Sequence, residues 1–290
     1  MDISVSSYSF HKMGISQMEC IHRAHEIGLH AIEFTDLVPE DGLTQLEYAD
    51  RLRAEAERLG MTINAYTVSA DLLGGSNGDL DAEVEAIQAK VDIAERLGVQ
   101  VMRHDATFAF PDERGYRGFD QILPRLAEGC RRITEYAATK GIRTCVENHG
   151  TLCQDSDRVE KLVNTVAHPN FGLLTDMGNF LCVDEDPVHA YSRVAPYAVH
   201  AHAKDFYIRS GNRLNPGEGF FRTRGQNFLR GAIIGQGDVD VLQCIRILKS
   251  VGYNGWLSIE FEGREDPMYG IRVGFENLKR MLALLEEGNV

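Results

Sequence analysis

The segment PYAVHAHAKDF, residues 196–206, sets two imidazoles and an ammonium at alternate positions. Side chains alternate between the faces of a strand, so His200, His202 and Lys204 share one face and Val199, Ala201 and Ala203 the other. Burying three such groups together is unfavourable unless partners meet them. Three further segments run from apolar residues into an acid: CVENHG into Glu147, LLTDMGNF into Asp176 and LSIEFEG into Glu260. One acid at a strand end is usually a cap or a solvated group; four polar residues in register on consecutive strands form a pattern. Three converging carboxylates without a counter-charge would repel and push their pKa values up. A divalent cation removes that repulsion, and three oxygens with one imidazole nitrogen suit Mn²⁺, Mg²⁺, Co²⁺ or Zn²⁺. Glu147, Asp176, His202 and Glu260 are therefore the candidate metal ligands. His200, one layer deeper, is placed to hydrogen-bond behind them. Lys204, one layer nearer solvent, is placed to meet an anionic or oxygen-rich substrate.

The elements that must position these residues can be read from punctuation. In HEIGLHAIEF, ERLGMTINAY, ERLGVQVMRH, ATKGIRTCVE and KSVGYNGWLSIE, a polar helical stretch ends in Gly and a short apolar strand follows. Gly28, Gly60, Gly98, Gly141 and Gly252 fit the left-handed position just past a helix end. Repeated units of this kind predict strands at 3–8, 31–34, 62–68, 99–104, 143–147, 171–176, 198–204 and 255–260. Ser16 with Glu19, and Thr44 with Glu47, read as capping boxes that start the first two helices. Eight strands alternating with eight helices predict an α/β fold, a (β/α)8 TIM barrel of one domain over residues 1–290. The alternative, an open doubly wound sheet, would need a glycine loop for phosphate after strand one, and SYSFHKMG is not one. ADLLGGSNGD, at 70–79, is a Gly-rich loop. The long stretch 207–238 after strand seven falls on the face where barrel active sites are built, and Phe220, Phe221 and Phe228 predict an ordered lid.

Composition limits the function classes. The chain has 290 residues, 43% hydrophobic and 25% charged, enough for a large core and unlike a disordered chain. A net charge of −13 opposes binding to nucleic acid or anionic membrane. The six cysteines, Cys20, Cys130, Cys145, Cys153, Cys182 and Cys244, form no CxxC pair and read as reduced thiols of a cytoplasmic protein. MDISVSSYSF lacks the pattern of a signal peptide, and no apolar run approaches the ~18 residues of a membrane span.

The motifs VENHG, LLTDMGNF, HAHAKDF and GQGDVD…GYNGWLSIEFEG resemble those of the sugar phosphate isomerase/epimerase superfamily, the xylose-isomerase-like TIM barrels. This group includes ketose 3-epimerases, inosose dehydratases and the AP endonuclease branch, and the likeness runs over nearly the whole chain. It implies a metal held by Glu147, Asp176, His202 and Glu260, with Mn²⁺ the first choice. It also implies a sugar or keto-sugar isomerase or epimerase that abstracts a proton next to a carbonyl through a metal-stabilised enediolate, Glu147 and Glu260 being the acid/base pair. The sequence departs from ketose 3-epimerases at Asn179, where those have His. ENHG and the long insertion look more like branches acting on larger or oxidised sugars such as 3-keto-glycosides.

His149, just beyond Glu147, is a further candidate acid/base. His104, with Arg103 beside it at the end of strand four, is a candidate for holding sugar hydroxyls. Lys204, Arg209 and Arg224, with Arg213 and Arg222, are candidates for gripping an anionic or glycosidic group. Glu33 is expected to be a solvated structural residue, and GQG at 235–237 is too short to argue phosphate binding. The alternative activity is a lyase of the same fold, a dehydratase or a 3-keto-glycoside-cleaving enzyme. An AP-endonuclease-type phosphodiesterase would need additional His and Glu ligands, and the acidic charge opposes it. The expected partner is a small sugar or keto-sugar, with neither nucleic acid nor membrane involved; the family's habit of forming dimers or tetramers implies a homo-oligomer by analogy.

Overall fold

The computed structural model describes residues 1–40, 42–110, 115 and 118–287. Its barrel strands begin with β1 (Asp2–Ser6), β2 (Ala31–Thr35), β3 (Thr62–Val68), β4 (Val101–His104), β5 (Arg143–Glu147), β6 (Phe171–Asp176) and β7 (Ala198–Ala203). The insertion then supplies β8 (Asp205–Arg209), β9 (Phe221–Arg222) and β10 (Phe228–Ala232), and β11 (Trp256–Ile259) completes the barrel. All barrel neighbours are parallel, in the closed order β1-β11-β7-β6-β5-β4-β3-β2, so the chain is a TIM barrel and not an open sheet. The intervening helices are α1 (Gln17–Ile27), α2 (Gln45–Arg58), α3 (Leu80–Leu97), α4 (Phe119–Ala138), α5 (Ser156–Val166), α6 (Pro187–Val194), α7 (Val241–Ser250) and α8 (Pro267–Glu286).

Local chemistry sets these boundaries. The five glycines singled out above all take positive φ, between 68° and 93°, where a side chain would be strained. Thr44 and Glu47 form a reciprocal capping box, while Ser16 accepts the Glu19 N–H. β1 stops at Ser6 rather than at Tyr8, because Ser7–Met13 winds into a tight 3-10 turn with the Ser6 hydroxyl capping it. Outward residues such as Val5, Ile32, Met102, Val146 and Ile259 are fully buried beneath the helices.

The stretch 207–238 carries most of a small antiparallel sheet in the order β8-β10-β9. Its base is held by Asp205, 1% exposed, whose carboxylate accepts backbone N–H groups of Phe206, Gly235, Gly237 and Val239 at 2.8–3.1 Å. The GQG motif thus wraps the chain's own carboxylate. A Cβ at Gly237 would lie 2.1 Å from Asp205 Oδ1, which explains the glycine.

Candidate metal centre

Strand register brings the ligand candidates together. Asp176 on β6 lies opposite His202 on β7, and His202 lies opposite Ser258 on β11. Glu260 follows β11 by one residue, its N–H donating to the Ala203 carbonyl at 3.0 Å. Glu147 ends β5. His202 Nδ1 is 3.5 Å from Glu260 Oε2 and 3.7 Å from both Glu147 Oε1 and Asp176 Oδ2. One donor atom from each of the four residues can be chosen so that all lie within 4.8 Å of one another.

Each group is held with a donor atom turned inward. Asp176 Oδ1 accepts the N–H groups of Gly178 and Asn179 at 2.8 and 2.7 Å. Its backbone pairs with Asn148, whose amide bonds both the Asp176 N–H and the Asp176 carbonyl. Glu147 Oε2 accepts from Arg103 Nε at 2.7 Å, and Oε1 from Asn179 Nδ2 at 2.9 Å. Lys204 Nζ sits 2.5 Å from Glu260 Oε2, 3.2 Å from Glu262 Oε1 and 3.0 Å from Asn179 Oδ1.

Two buried atoms at the centre, His202 Nδ1 and Asp176 Oδ2, have no hydrogen-bond partner. Buried polar atoms are normally satisfied, so two orphans facing one point call for a ligand. Charge points the same way: Glu33, Asp105, Glu147, Asp176, Glu260 and Glu262 outnumber Arg103, Lys204 and the imidazoles of His149 and His202 around the site. Burial pulls the His202 pKa down, but the charges of Glu33 and Glu260, with the Asp176 and Glu147 carboxylates also facing the ring, hold it well above its ordinary value. Glu147 and Glu260 stay ionised. Burial would raise Glu147, yet Arg103 and His202 hold it well below the usual range, and Lys204 with His202 takes Glu260 to about 2. Lys204 Nζ stands 3.4 Å from Asp176 Oδ2, but a cage of carboxylates and one imidazole in excess of positive charge, with two inward donor atoms free of hydrogen bonds, fits a divalent cation.

Glu33 corrects a sequence expectation. It is fully buried, not solvated, because it lies within β2, which runs to Thr35, on the face that meets His200 and His202 of β7. Its Oε2 is 2.6 Å from His200 Nε2 and its Oε1 3.0 Å from His202 Nε2. His200 lies behind the candidate ligand His202, and Glu33 bridges the two.

The remaining candidates fall in different places. A cavity of about 400 Å³ above the four residues is lined by Arg103, His149 and Lys204 among others. His149 Nδ1 lies 2.9 Å from Asp105 Oδ1; burial lowers its pKa, and the Asp105 hydrogen bond and Glu147 charge more than offset that. His104 does not line the cavity. It is fully buried on the opposite face of β4, with Nδ1 2.9 Å from the Asp105 carbonyl, so Arg103 is the side chain that enters. Arg209 is also outside, pairing with Asp238 at 3.0 Å on the solvent side of β8. Arg224 binds the Asp155 carboxylate at 2.5 and 2.9 Å and lines a neighbouring chamber.

The family model described as xylose isomerase-like TIM barrel matches residues 21–281. Rhizopine catabolism protein MocC of Rhizobium meliloti is 31% identical over 221 residues, 71% of this chain and 66% of that protein. An inosose dehydratase of Geobacillus thermodenitrificans is 27% identical over 149 residues, 49% of this chain and 47% of that protein. The match thus spans about two thirds or less of these relatives' own length. A structure of L-ribulose 3-epimerase superposes with a TM-score of 0.75 at 16% identity, covering 100% of this chain and 97% of that one, a likeness of fold. Among the described residues no helix is long and apolar enough to cross a membrane.

Proposed function

The chain belongs to the xylose isomerase-like TIM barrel family, and we propose that it is a divalent-metal-dependent isomerase or epimerase of a sugar or keto-sugar. The observation that carries the reading is the pair of orphaned atoms, His202 Nδ1 and Asp176 Oδ2, enclosed with Glu147 and Glu260 at the floor of a polar cavity. Glu147, Asp176, His202 and Glu260 hold the ion. When bound it supplies Lewis acidity toward a substrate carbonyl and its neighbouring hydroxyl, with Mn²⁺ the first choice and Mg²⁺, Co²⁺ or Zn²⁺ the alternatives.

The chain's own groups divide the remaining work. Glu147 and Glu260 come from β5 and from the end of β11, on either side of β6 and β7 in the barrel order. One takes the proton from the carbon next to the carbonyl, and the other returns a proton to the opposite face. Arg103 and Asn179 fix Glu147, so its reach is set before substrate arrives. Lys204, among Glu260, Glu262 and Asn179, holds a substrate oxygen. His149, oriented by Asp105, borders the same cavity and serves as a further proton donor.

A second reading, a lyase that begins with the same proton abstraction and then expels a hydroxyl or aglycone, is favoured by the similarity to inosose dehydratases. Proton NMR in heavy water separates the two on a panel of ketoses, inososes and 3-keto-glycosides. Solvent deuterium in a recovered, inverted sugar supports the epimerase; an unsaturated product or a freed aglycone supports the lyase. Turnover that survives exhaustive chelation, or full activity in Glu147→Gln, would overturn both.

A further inference from the structure

A second chamber of about 440 Å³ adjoins the first. His149, Lys204 and Glu262 line both, so the two are parts of one cleft. Their walls differ in character. The first is charged and hydroxylic; the second presents Phe108, Phe206, Phe221, Cys182 and Val183. Phe206 is buried and stands edge-on to Phe221, with ring centroids 5.9 Å apart. Phe221 and Phe108, in contrast, are 42% and 55% exposed, two partly open aromatic rings lining one chamber, with Phe108 in T-shaped contact with His149. Clustered exposed apolar rings beside a polar site mark a binding surface.

The insertion builds this wall and holds it firmly. Asp184 accepts from Thr223 Oγ1 at 2.7 Å, Gly225 N at 2.5 Å and Asn227 Nδ2 at 2.8 Å. The chamber's arginines are already engaged. Arg224 is paired with Asp155, and Arg222 lies over the Phe228 ring, 4.4 Å from its centroid, while donating to the Gln226 carbonyl. Their engagement argues against the anion grip expected from sequence and leaves aromatic and aliphatic surface as the chamber's main offering.

We infer that the second chamber is a subsite for an aromatic ring carried by the sugar, so that the substrate is bipartite and an aryl glycoside of a keto-sugar is its simplest form, the unoxidised aryl glycosides being its unreactive binding analogues. The inference rests on the reading of the first chamber as the seat of the sugar. The polar part sits over the ligand cage, the ring lies against Phe108 and Phe221, and the link between them passes His149, Lys204 and Glu262.

Calorimetric titration of the Mn²⁺-loaded full chain tests this with D-glucose, D-galactose and D-xylose, each against its phenyl β-glycoside. At least one phenyl glycoside is expected to bind about tenfold or more tighter than its parent, the scale on which apolar pockets discriminate. Phe221→Ala removes one wall from a half-open position, and Thr151→Trp fills the chamber from an exposed loop; each is expected to bring that ratio toward one. Absence of any phenyl glycoside that outbinds its parent, or a ratio unmoved in both variants, overturns the subsite. The reading of the first chamber fails separately, if the parent sugars bind metal-free and metal-loaded protein alike.

Discussion

His202 offers its two ring nitrogens to different partners: Nε2 lies 3.0 Å from Glu33 Oε1, while Nδ1 faces Glu147, Asp176 and Glu260. A carboxylate that accepts the Nε2 hydrogen bond fixes the ring so that Nδ1, on giving up its proton, can bind a cation. Glu33→Gln keeps the shape and removes the charge. It is expected to weaken Mn²⁺ affinity by roughly 10–100-fold, the usual effect of losing such a partner. Calorimetry of Mn²⁺ binding checks this, and an unchanged Kd would leave Glu33 with no part in positioning the ligand.

Arg103 is the cation that makes a buried Glu147 tolerable; the guanidinium also donates to the Val68 carbonyl at 3.1 Å. Arg103→Ala strands a buried carboxylate, so a loss of about 3–5 kcal/mol is expected. Arg103→Lys restores the charge without the planar fork and should recover only part of it. Urea unfolding of both variants provides the comparison. A loss below about 1 kcal/mol, the scale of an exposed pair, would show that Glu147 does not depend on this partner.

Asp205 ties the insertion to the barrel through four backbone N–H groups. Asp205→Ala leaves those donors buried and unpaired, at about 1–3 kcal/mol for each that water cannot reach. The variant should show a lower Tm and early proteolytic cleavage within 207–238. Resistance equal to wild type would mean that β8 and β10 hold the insertion without Asp205.

The thiols provide a check on the core. Five of the six cysteines are buried, and Cys182 is partly so. Burial pushes Cys20, Cys145, Cys153 and Cys182 up to about 12, and Cys130 and Cys244 also well up. At pH 8 the native chain should react slowly with a disulfide reagent, Cys182 first, and all six should react after unfolding. Rapid native modification of Cys130 or Cys145 would contradict the packing described.

Much of the fold was legible because its signals are local. The helix-ending glycines at Gly28, Gly60, Gly98, Gly141 and Gly252, and the acids at the ends of β5 and β6, are read within a few residues. Glu33 was not legible. A lone acid near a strand end is usually solvated, and what buries this one is His200 and His202, 167 and 169 residues away. Residue type favours His104 over Arg103 as a sugar-binding group, although register decides. Arg103 pairs with Cys145, which shares a face with Glu147, so parity along β4 could have selected the arginine. Asn179 stood out as a departure from the ketose 3-epimerases, but only the fold gives it work: it bridges Glu147 and Lys204.

The most direct measurement is an anomalous-scattering map of crystals grown with Mn²⁺, paired with equilibrium dialysis of wild type and Asp176→Asn. One strong peak per chain is expected, ringed by Glu147, Asp176, His202 and Glu260, with one equivalent bound by wild type and much weaker binding by the variant. No peak among those four residues, or dialysis that does not distinguish Asp176→Asn from wild type, would contradict the proposed centre.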